Sequence, residues 1–458
     1  ISAIWVAEGL YFPAYPGMTL PSNFTDPRQV YFPLVNNVTI LGGFIGDEAK
    51  LGARDKSPLS NNTVLSCDYN QDDSDNCMNV VWAIAADNSA ILDGFTLAAG
   101  YSDGKLGRAG IGGGMIVTDG GASPTLRNIL FYRNYAANAG GAVYARDTSE
   151  MVIEDSYFIE NRVASAKIGG SAIFYHSTAS HQSVHPDLHI RRSEFINNQG
   201  TAVEADIGST SSKVSLALTE VLFQGNAVNM DDGQRDLYYA SRSPSALWLG
   251  KGRHELKRIT FRDNGPLWNF ASYAAAVSES WSVPLITTLN SEVNLSHSLI
   301  WGNAGGIVSS FGSKFNLLHS SMATESYEED VSIYEQMIDE AALLIDSATV
   351  NVQNSIIYWE EEYGPLDISN GGYESFTFAN SCLGDYPGDP MFVDQEKGNL
   401  QLSSGSPCID FGDNYVDTDS FTTGFQQIPE TDLAGRPRKV DGSGDGFYTV
   451  DAGAFEFQ

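Results

Sequence analysis

Apolar residues along this chain gather in runs of about 3 to 6 residues, punctuated by Asn or Gly, and no stretch sustains the 3.6-residue period of an amphipathic helix. A Phe followed three residues later by Asn recurs as Phe131 with Asn134, Phe158 with Asn161, Phe195 with Asn198, Phe223 with Asn226 and Phe261 with Asn264. Ile300 with Asn303 is a variant of the same unit, and subtraction gives Asn-to-Asn intervals of 27, 37, 28, 38 and 39 residues. A second element interleaves with the first, a small-residue pair leading into an apolar strand: Gly112-Gly-Gly-Met115, Gly140-Gly-Ala-Val143, Gly169-Gly-Ser-Ala172, Gly200-Thr-Ala-Val203 and Gly305-Gly-Ile-Val308.

A repeat this short cannot bury its own apolar face and must stack on its neighbours. The geometry that fits is all-β, a right-handed parallel β-helix of about ten coils, each laying short strands ~4.8 Å from those of the next. In such a coil the Phe points inward and stacks on the Phe of the next turn. The Asn is expected to bend the chain in a left-handed conformation and to bond to the Asn above and below, and the Gly pair to serve a corner where a Cβ would clash. A bare coil needs ~20 to 27 residues, so the longer intervals carry loops emerging at fixed corners. The expected loops are 175–187, 228–245, 269–284 and the acidic stretch 320–339, where Tyr334, Met337, Ile338 and Ala341 would line one face of a short helix.

Composition narrows the function. Lys and Arg number 26 against 57 Asp and Glu, a net charge of 26 − 57 = −31, which argues against a nucleic-acid partner. Apolar stretches such as residues 80–86 fall far short of the ~20 residues of a membrane-spanning helix, so no membrane span is expected. With 23 Phe, 21 Tyr and 7 Trp, disorder is excluded as well. The acidic balance suits a secreted, extracellular protein. Four cysteines agree, falling as two local pairs, Cys67 with Cys77 and Cys382 with Cys408, the expected disulfides of an oxidising compartment. The chain opens directly in a strand at Ile4-Trp5-Val6, which reads as a mature or truncated start.

The alternation of GGA plus an aliphatic residue with FxxN resembles the repeats of polymorphic outer-membrane proteins of the pectate-lyase-like β-helix class. The ends resemble a narrower group, the bacterial choice-of-anchor Q surface proteins. Ile4-Trp-Val-Ala-Glu-Gly9 and Val38-Thr-Ile-Leu-Gly-Gly-Phe44 match its opening coils. Gly388-Asp-Pro-Met-Phe-Val-Asp394, Leu433-Ala-Gly-Arg-Pro-Arg438 and Val450-Asp-Ala-Gly-Ala-Phe-Glu456 match its closing module. The resemblance implies a bacterial cell-surface location and a division into a β-helix over 1–380 and a capping module over 381–458, and it is almost silent on activity.

Calcium is the expected ligand. Asp68, Asp72, Asp73 and Asp75 crowd the loop between Cys67 and Cys77, and Asp441-Gly-Ser-Gly-Asp445-Gly opens like a calcium loop whose nearest later carboxylate is Asp451. A third acidic group, Asp410, Asp413, Asp417 and Asp419, reads as a solvated turn. His176, His181, His185 and His189 crowd one loop, but Pro186 argues against the helix that would align them on a metal. The expected role is structural, adhesive or self-assembling, with end-to-end association through open sheet ends. The alternative is a calcium-dependent lyase or glycoside hydrolase acting on an extracellular acidic polysaccharide. A lyase would draw its base from Arg191, Arg192, Lys251, Arg253 or His254, whereas a hydrolase would need paired carboxylates such as Asp231 and Asp232 with a residue of the next coil.

Overall fold

A computed structural model of the chain describes residues 2–13, 27–70, 72–73, 75–104, 110–119, 121–148, 150–164, 169–177, 187–207, 214–229, 244–267, 283–303, 305–323, 342–359, 366–368, 375–384, 386–414, 428 and 430–458. The expected short helix at Tyr334 to Ala341 lies outside these residues, as do the pair Asp231 and Asp232, His181, His185, Asp417 and Asp419. The fold is a right-handed parallel β-helix, its sheets built from strands that pair in parallel with the equivalent strand of the next coil. It divides into two compact units, Ile1–Arg253 with Pro266–Tyr273 and His254–Gly265 with Ala274–Gln458.

In the first unit, strands Ile91–Ala98, Thr125–Tyr132, Tyr157–Ile159, Leu188–Ile196 and Val214–Gln224 stack in register, placing Leu97, Phe131, Phe158, Phe195 and Phe223 in one inward row. The four phenylalanines are fully buried. Their rings stack at 4.7, 4.6 and 4.8 Å with planes within 10° of parallel. At the corner that follows, the Nδ2 of Asn134, Asn161 and Asn198 donates to Oδ1 of the next ladder Asn at 3.0, 3.1 and 2.9 Å. Each Nδ2 also donates to the carbonyl of the inward residue one coil back, so the buried amides are satisfied.

The bend itself sits one residue earlier than the sequence suggests. Arg133, Glu160, Asn197 and Gly225 adopt φ of 51°, 55°, 53° and 62°, while none of the ladder asparagines has positive φ. The Asn side chain is committed to the ladder, and its predecessor turns the chain. A second ladder runs up the same sheet: Ser156 Oγ accepts from Ile129 N–H, and Ser193 Oγ from Ser156 N–H, both at 3.2 Å. Each of these serines also follows a left-handed residue, Asp155 or Arg192.

The second sheet of this unit stacks Val81–Ile84, Met115–Thr118, Val143–Arg146, Ile173–Ser177, Val203–Ile207 and Leu247–Leu249. Met115, Val143, Ile173, Val203 and Leu247 form its inward row. The glycine corner therefore aligns Gly140 with Gly170 rather than Gly169, and both carry positive φ, 65° and 53°. The adjoining Gly141 is enforced by space, since a Cβ there would lie 2.2 Å from the Ser171 carbonyl oxygen.

The second unit repeats the plan with aliphatic residues in the Phe row. Phe261, Ile300, Met322, Ile357 and Leu383 are aligned by register, and Asn264 donates to Asn303 at 2.9 Å. The serine ladder continues through Ser298, Ser320, Ser355 and Ser381. The chain then closes over its coils. Disulfide Cys382–Cys408 joins Ile356, Leu402 and Ala452 in a buried cluster, and Cys67–Cys77 is the other pair; no cysteine is free. Arg438 is fully buried, with Glu456 Oε1 3.1 Å from its Nε and the Gly453 carbonyl 2.6 Å from its Nη2.

Candidate functional site

The two expected sites take a different form from that read in the sequence. Among the described residues no group of three or more His, Cys, Asp or Glu is placed to hold a metal ion. In the Cys67–Cys77 loop, Asp73 and Asp75 accept from Asn76 Nδ2 at 3.4 Å and Asn70 Nδ2 at 2.8 Å, and Asp68 and Asp72 join them in no three-carboxylate group. Asp441 turns both oxygens on its own loop, accepting from Asp445 N–H at 3.0 Å and Gly446 N–H at 2.9 Å. Asp451 is buried, accepting from Asp410 N–H at 2.7 Å and Phe457 N–H at 2.6 Å, while Asp410 in turn accepts from Ser443 N–H of that loop at 2.6 Å. Burial raises its pKa to about 6 against those hydrogen bonds. Backbone N–H groups supply the counter-charge to Asp441 and Asp451.

Two of the basic candidates, Arg191 and Arg192, meet acidic side chains of the preceding coil. Glu154, nearly buried, accepts from Arg127 Nε at 2.5 Å and Arg191 Nε at 2.7 Å, and Arg192 bonds both Glu154 and Asp155. Burial pushes the Glu154 carboxyl up, but the bonds from Arg191 and Arg127 outweigh it and hold the group below its ordinary value. Arg191 and Arg192 are therefore counter-ions. His254 points into the core of strand Gly252–Lys257 while its neighbour Arg253 lies on the opposite face, and Lys251 is exposed just before that strand. Of the clustered histidines, His176 and His189 are described, and they lie on different sheets.

A site does form on the outward face of the second sheet in the first unit. Strand alternation that sends Val143, Ile173 and Val203 inward sends the next residue out. Register then aligns Trp82, Ile116, Tyr144, Phe174, Glu204 and Trp248 in one outward row. The Tyr144 and Phe174 rings stack at 5.5 Å and 12°. Trp82 Nε1 donates to Thr118 Oγ1 at 3.2 Å, fixing the indole. The neighbouring outward row carries Arg146, His176 and Asp206, aligned by the same pairings. His176 Nδ1 lies 3.4 Å from Asp206 Oδ2, an ion-pair distance without hydrogen-bond geometry. Gly250 keeps this corner open: a Cβ there would sit 2.6 Å from the Trp248 ring and 3.2 Å from Asp206 Oδ1.

Glu204 is the unusual member. It is 1% exposed, and the charge of Asp206 lies close by. Burial first, then Asp206, pushes its carboxyl well above the ordinary range, although the backbone at Gly169 and Gly170 hydrogen-bonds to it. Its Oε2 is buried with no hydrogen-bond partner among the described residues. Asp206 and His176 are more open, with side chains 42% and 28% exposed. The result is Glu204 at the floor, Asp206 and His176 at the rim, and aromatic rings alongside. Of these residues the sequence singled out His176, as part of the histidine cluster, and not Glu204, Asp206 or the aromatic residues. The signal was present at the position after each inward aliphatic residue of the glycine element, which reads Ile116, Tyr144, Phe174 and Glu204 in successive coils.

No family model matches the chain, and no curated protein matches it. Among solved structures it is similar to pectate lyase Pel9A, with 12% identity and a TM-score of 0.36 over 100% of this chain and 88% of that one. It is also similar to the gp42 tailspike of Acinetobacter phage vb_AbaP_AS12, with 12% identity and a TM-score of 0.31 over 92% of this chain and 68% of that one.

Proposed function

We propose that this protein is an extracellular glycan-binding β-helix, and that its ligand is an uncharged polysaccharide lying along the outward row from Trp82 to Trp248. The observation that carries this reading is the stacked, partly exposed pair Tyr144 and Phe174, with Trp82 two coils before it and the more deeply buried Trp248 two coils after it in the same row. Flat aromatic faces offer apolar contact to the C–H faces of sugar rings, while the carboxylates and His176 beside them offer partners for hydroxyl groups. Strands ~4.8 Å apart make this row ~24 Å long, enough for several sugars in an extended chain.

The charge chooses the ligand class. A chain of net charge −31 with the exposed Asp206 on the binding face disfavours a polyuronate, and Arg191 and Arg192 are already paired. Two disulfides accord with an exported protein. Adhesion follows as a consequence, since a surface that holds glycan attaches to whatever displays it.

Titration calorimetry with soluble neutral glucans, mannans, galactans and xylans tests the reading. The protein is expected to bind at least one class, and Tyr144→Ala with Phe174→Ala together to weaken that binding about tenfold, from about 0.5–1.5 kcal/mol per ring. Failure to bind any of them, or undiminished binding by the double variant, overturns it.

A further inference from the structure

We propose that the loop between Cys67 and Cys77 binds one calcium ion through the side chains of Asp75 and Asn76, with Asp73 beside them. Residues 68–76 carry four carboxylates, Asp68, Asp72, Asp73 and Asp75, and no Lys, Arg or His. The disulfide closes them into a ring whose ends lie 4.9 Å apart, Cα to Cα. Tyr69 of the same loop stacks on Phe12, just past the opening strands, with ring centroids 5.1 Å apart. Within the ring the side chains turn toward one another. Asp75 Oδ2 accepts from Asn70 Nδ2 at 2.8 Å, and the Asn76 amide is aimed at Asp73, its Nδ2 lying 3.4 Å from Asp73 Oδ1.

The observation that points to a cation is a shortage of donors. Asp75 Oδ1 and Asn76 Oδ1 are both buried, and neither has a hydrogen-bond partner among the described residues. Asn76 as a whole is 2% exposed. An amide oxygen and a carboxylate oxygen can only accept, and burying either without a partner is costly. The neighbouring Arg28 does not supply them: it donates from Nε to Asn76 O at 3.0 Å, from Nη2 to Tyr101 O at 3.0 Å and from Nη1 to Asp103 at 3.2 Å. A hard cation provides what the two orphaned oxygens lack.

The donor set selects among cations. Calcium takes six to eight oxygens in flexible geometry and mixes carboxylates with amide and backbone carbonyls and water, so it needs no group of three carboxylates. Magnesium demands a near-ideal octahedron and gives up its water reluctantly. Zinc prefers imidazole and thiolate, and here the cysteines are oxidised and the loop has no His.

The full chain, stripped with a chelator, is titrated with calcium chloride while its melting temperature is read, and with terbium as a luminescent calcium substitute. Calcium should raise the melting temperature with a half-point near about 0.1–1 mM, magnesium should raise it far less, and calcium should displace terbium. Asp75→Asn and Asn76→Leu should each weaken calcium about tenfold or more. Asn76→Asp, which keeps the acceptor and adds a charge, should melt lower in chelator and gain more from calcium than wild type, which separates a ligand from a side chain that only packs. If Asn76→Leu does not fold, the nearly isosteric Asp75→Asn carries the test. No rise with calcium up to about 10 mM overturns the proposal, as does an equal rise with magnesium. A rise that Asp75→Asn leaves intact overturns it too, being calcium condensed on an acidic surface rather than held in this loop.

Discussion

Arg438 Nη2 lies 2.9 Å from His319 Nδ1, buried where the closing segment packs on the coils of the second unit. A guanidinium can only donate, so Nδ1 accepts and His319 is the neutral, Nε2-protonated tautomer. Its ring stacks on that of His297 in the preceding coil at 4.9 Å. Burial and the charge of Arg438 hold His319 well below its ordinary pKa, and burial with Arg438, Lys257 and Arg258 lowers His297 to about 3.

This pair makes the second unit acid-sensitive. Both imidazoles stay neutral when folded but take up protons when unfolded below about pH 6.5, so the unfolded state binds more protons and stability rises with pH. The contribution is full above that value and is lost as pH falls from about 6.5 toward 3. Each group contributes up to about 1.4 kcal/mol per pH unit. Asp451 and Glu456, whose pKa values burial raises to about 6 and about 9, add an opposing slope between about pH 5 and pH 7. The check is therefore the difference in thermal melts between wild type and His297→Phe, which keeps a stacking ring: the variant should gain stability relative to wild type as pH falls from about 7 to about 5.

The ladder asparagines should rival the phenylalanines in stability. Phe195→Ala should cost about 3–5 kcal/mol through lost contact and the cavity left. Asn198 accepts from Asn161 N–H and Asn161 Nδ2, and donates to Phe158 O and Asn226 Oδ1. Asn198→Leu removes the side-chain bonds of Asn161 N–H and the Phe158 carbonyl, at about 1–3 kcal/mol each before relaxation. Asn226 Oδ1 keeps the backbone N–H of residue 198 and Asn161 Nδ2 keeps the Phe131 carbonyl, so its loss should come close to that of the Phe. Denaturant midpoints of the two variants decide the order.

Corner glycines should tolerate nothing larger. Gly141→Ala drives a Cβ to within 2.2 Å of one carbonyl oxygen and 2.5 Å of another, and should lower the melting temperature by the equivalent of about 1–3 kcal/mol or more. Gly52→Ala, whose Cβ would meet nothing within 4 Å, is the control and should leave the melting curve nearly unchanged.

Disulfide mapping under non-reducing conditions should return the Cys67–Cys77 and Cys382–Cys408 peptides and no crossed pair. Replacing Cys382 and Cys408 together with Ala should cost about 2–4 kcal/mol, read by melting of the oxidised variant against wild type.

The repeat was legible in the sequence because each coil reuses one local solution. Phe131, Phe158, Phe195 and Phe223 must be large and apolar to fill the coil, and the Asn three residues on must pair with its own kind. The local cysteine pairs were legible for a similar reason, since chain proximity limits their choice of partner. Strand parity was harder to read, because a shift of one residue exchanges core for surface: His254 faces inward although its neighbours are charged. Around the clustered aspartates, the N–H groups that Asp441 accepts from lie in its own loop, whereas Asp451 accepts from Asp410, 41 residues before it, a pairing that only the folded chain makes. The face carrying Tyr144, Phe174, Glu204 and Trp248 was set by tertiary structure alone. Its members are 30, 30 and 44 residues apart in the chain, and they meet only because successive coils stack in register. Glu204 is an ordinary carboxylate by sequence. Its carboxyl is pushed well above the ordinary range because the folded chain removes water from it and sets Asp206 beside it.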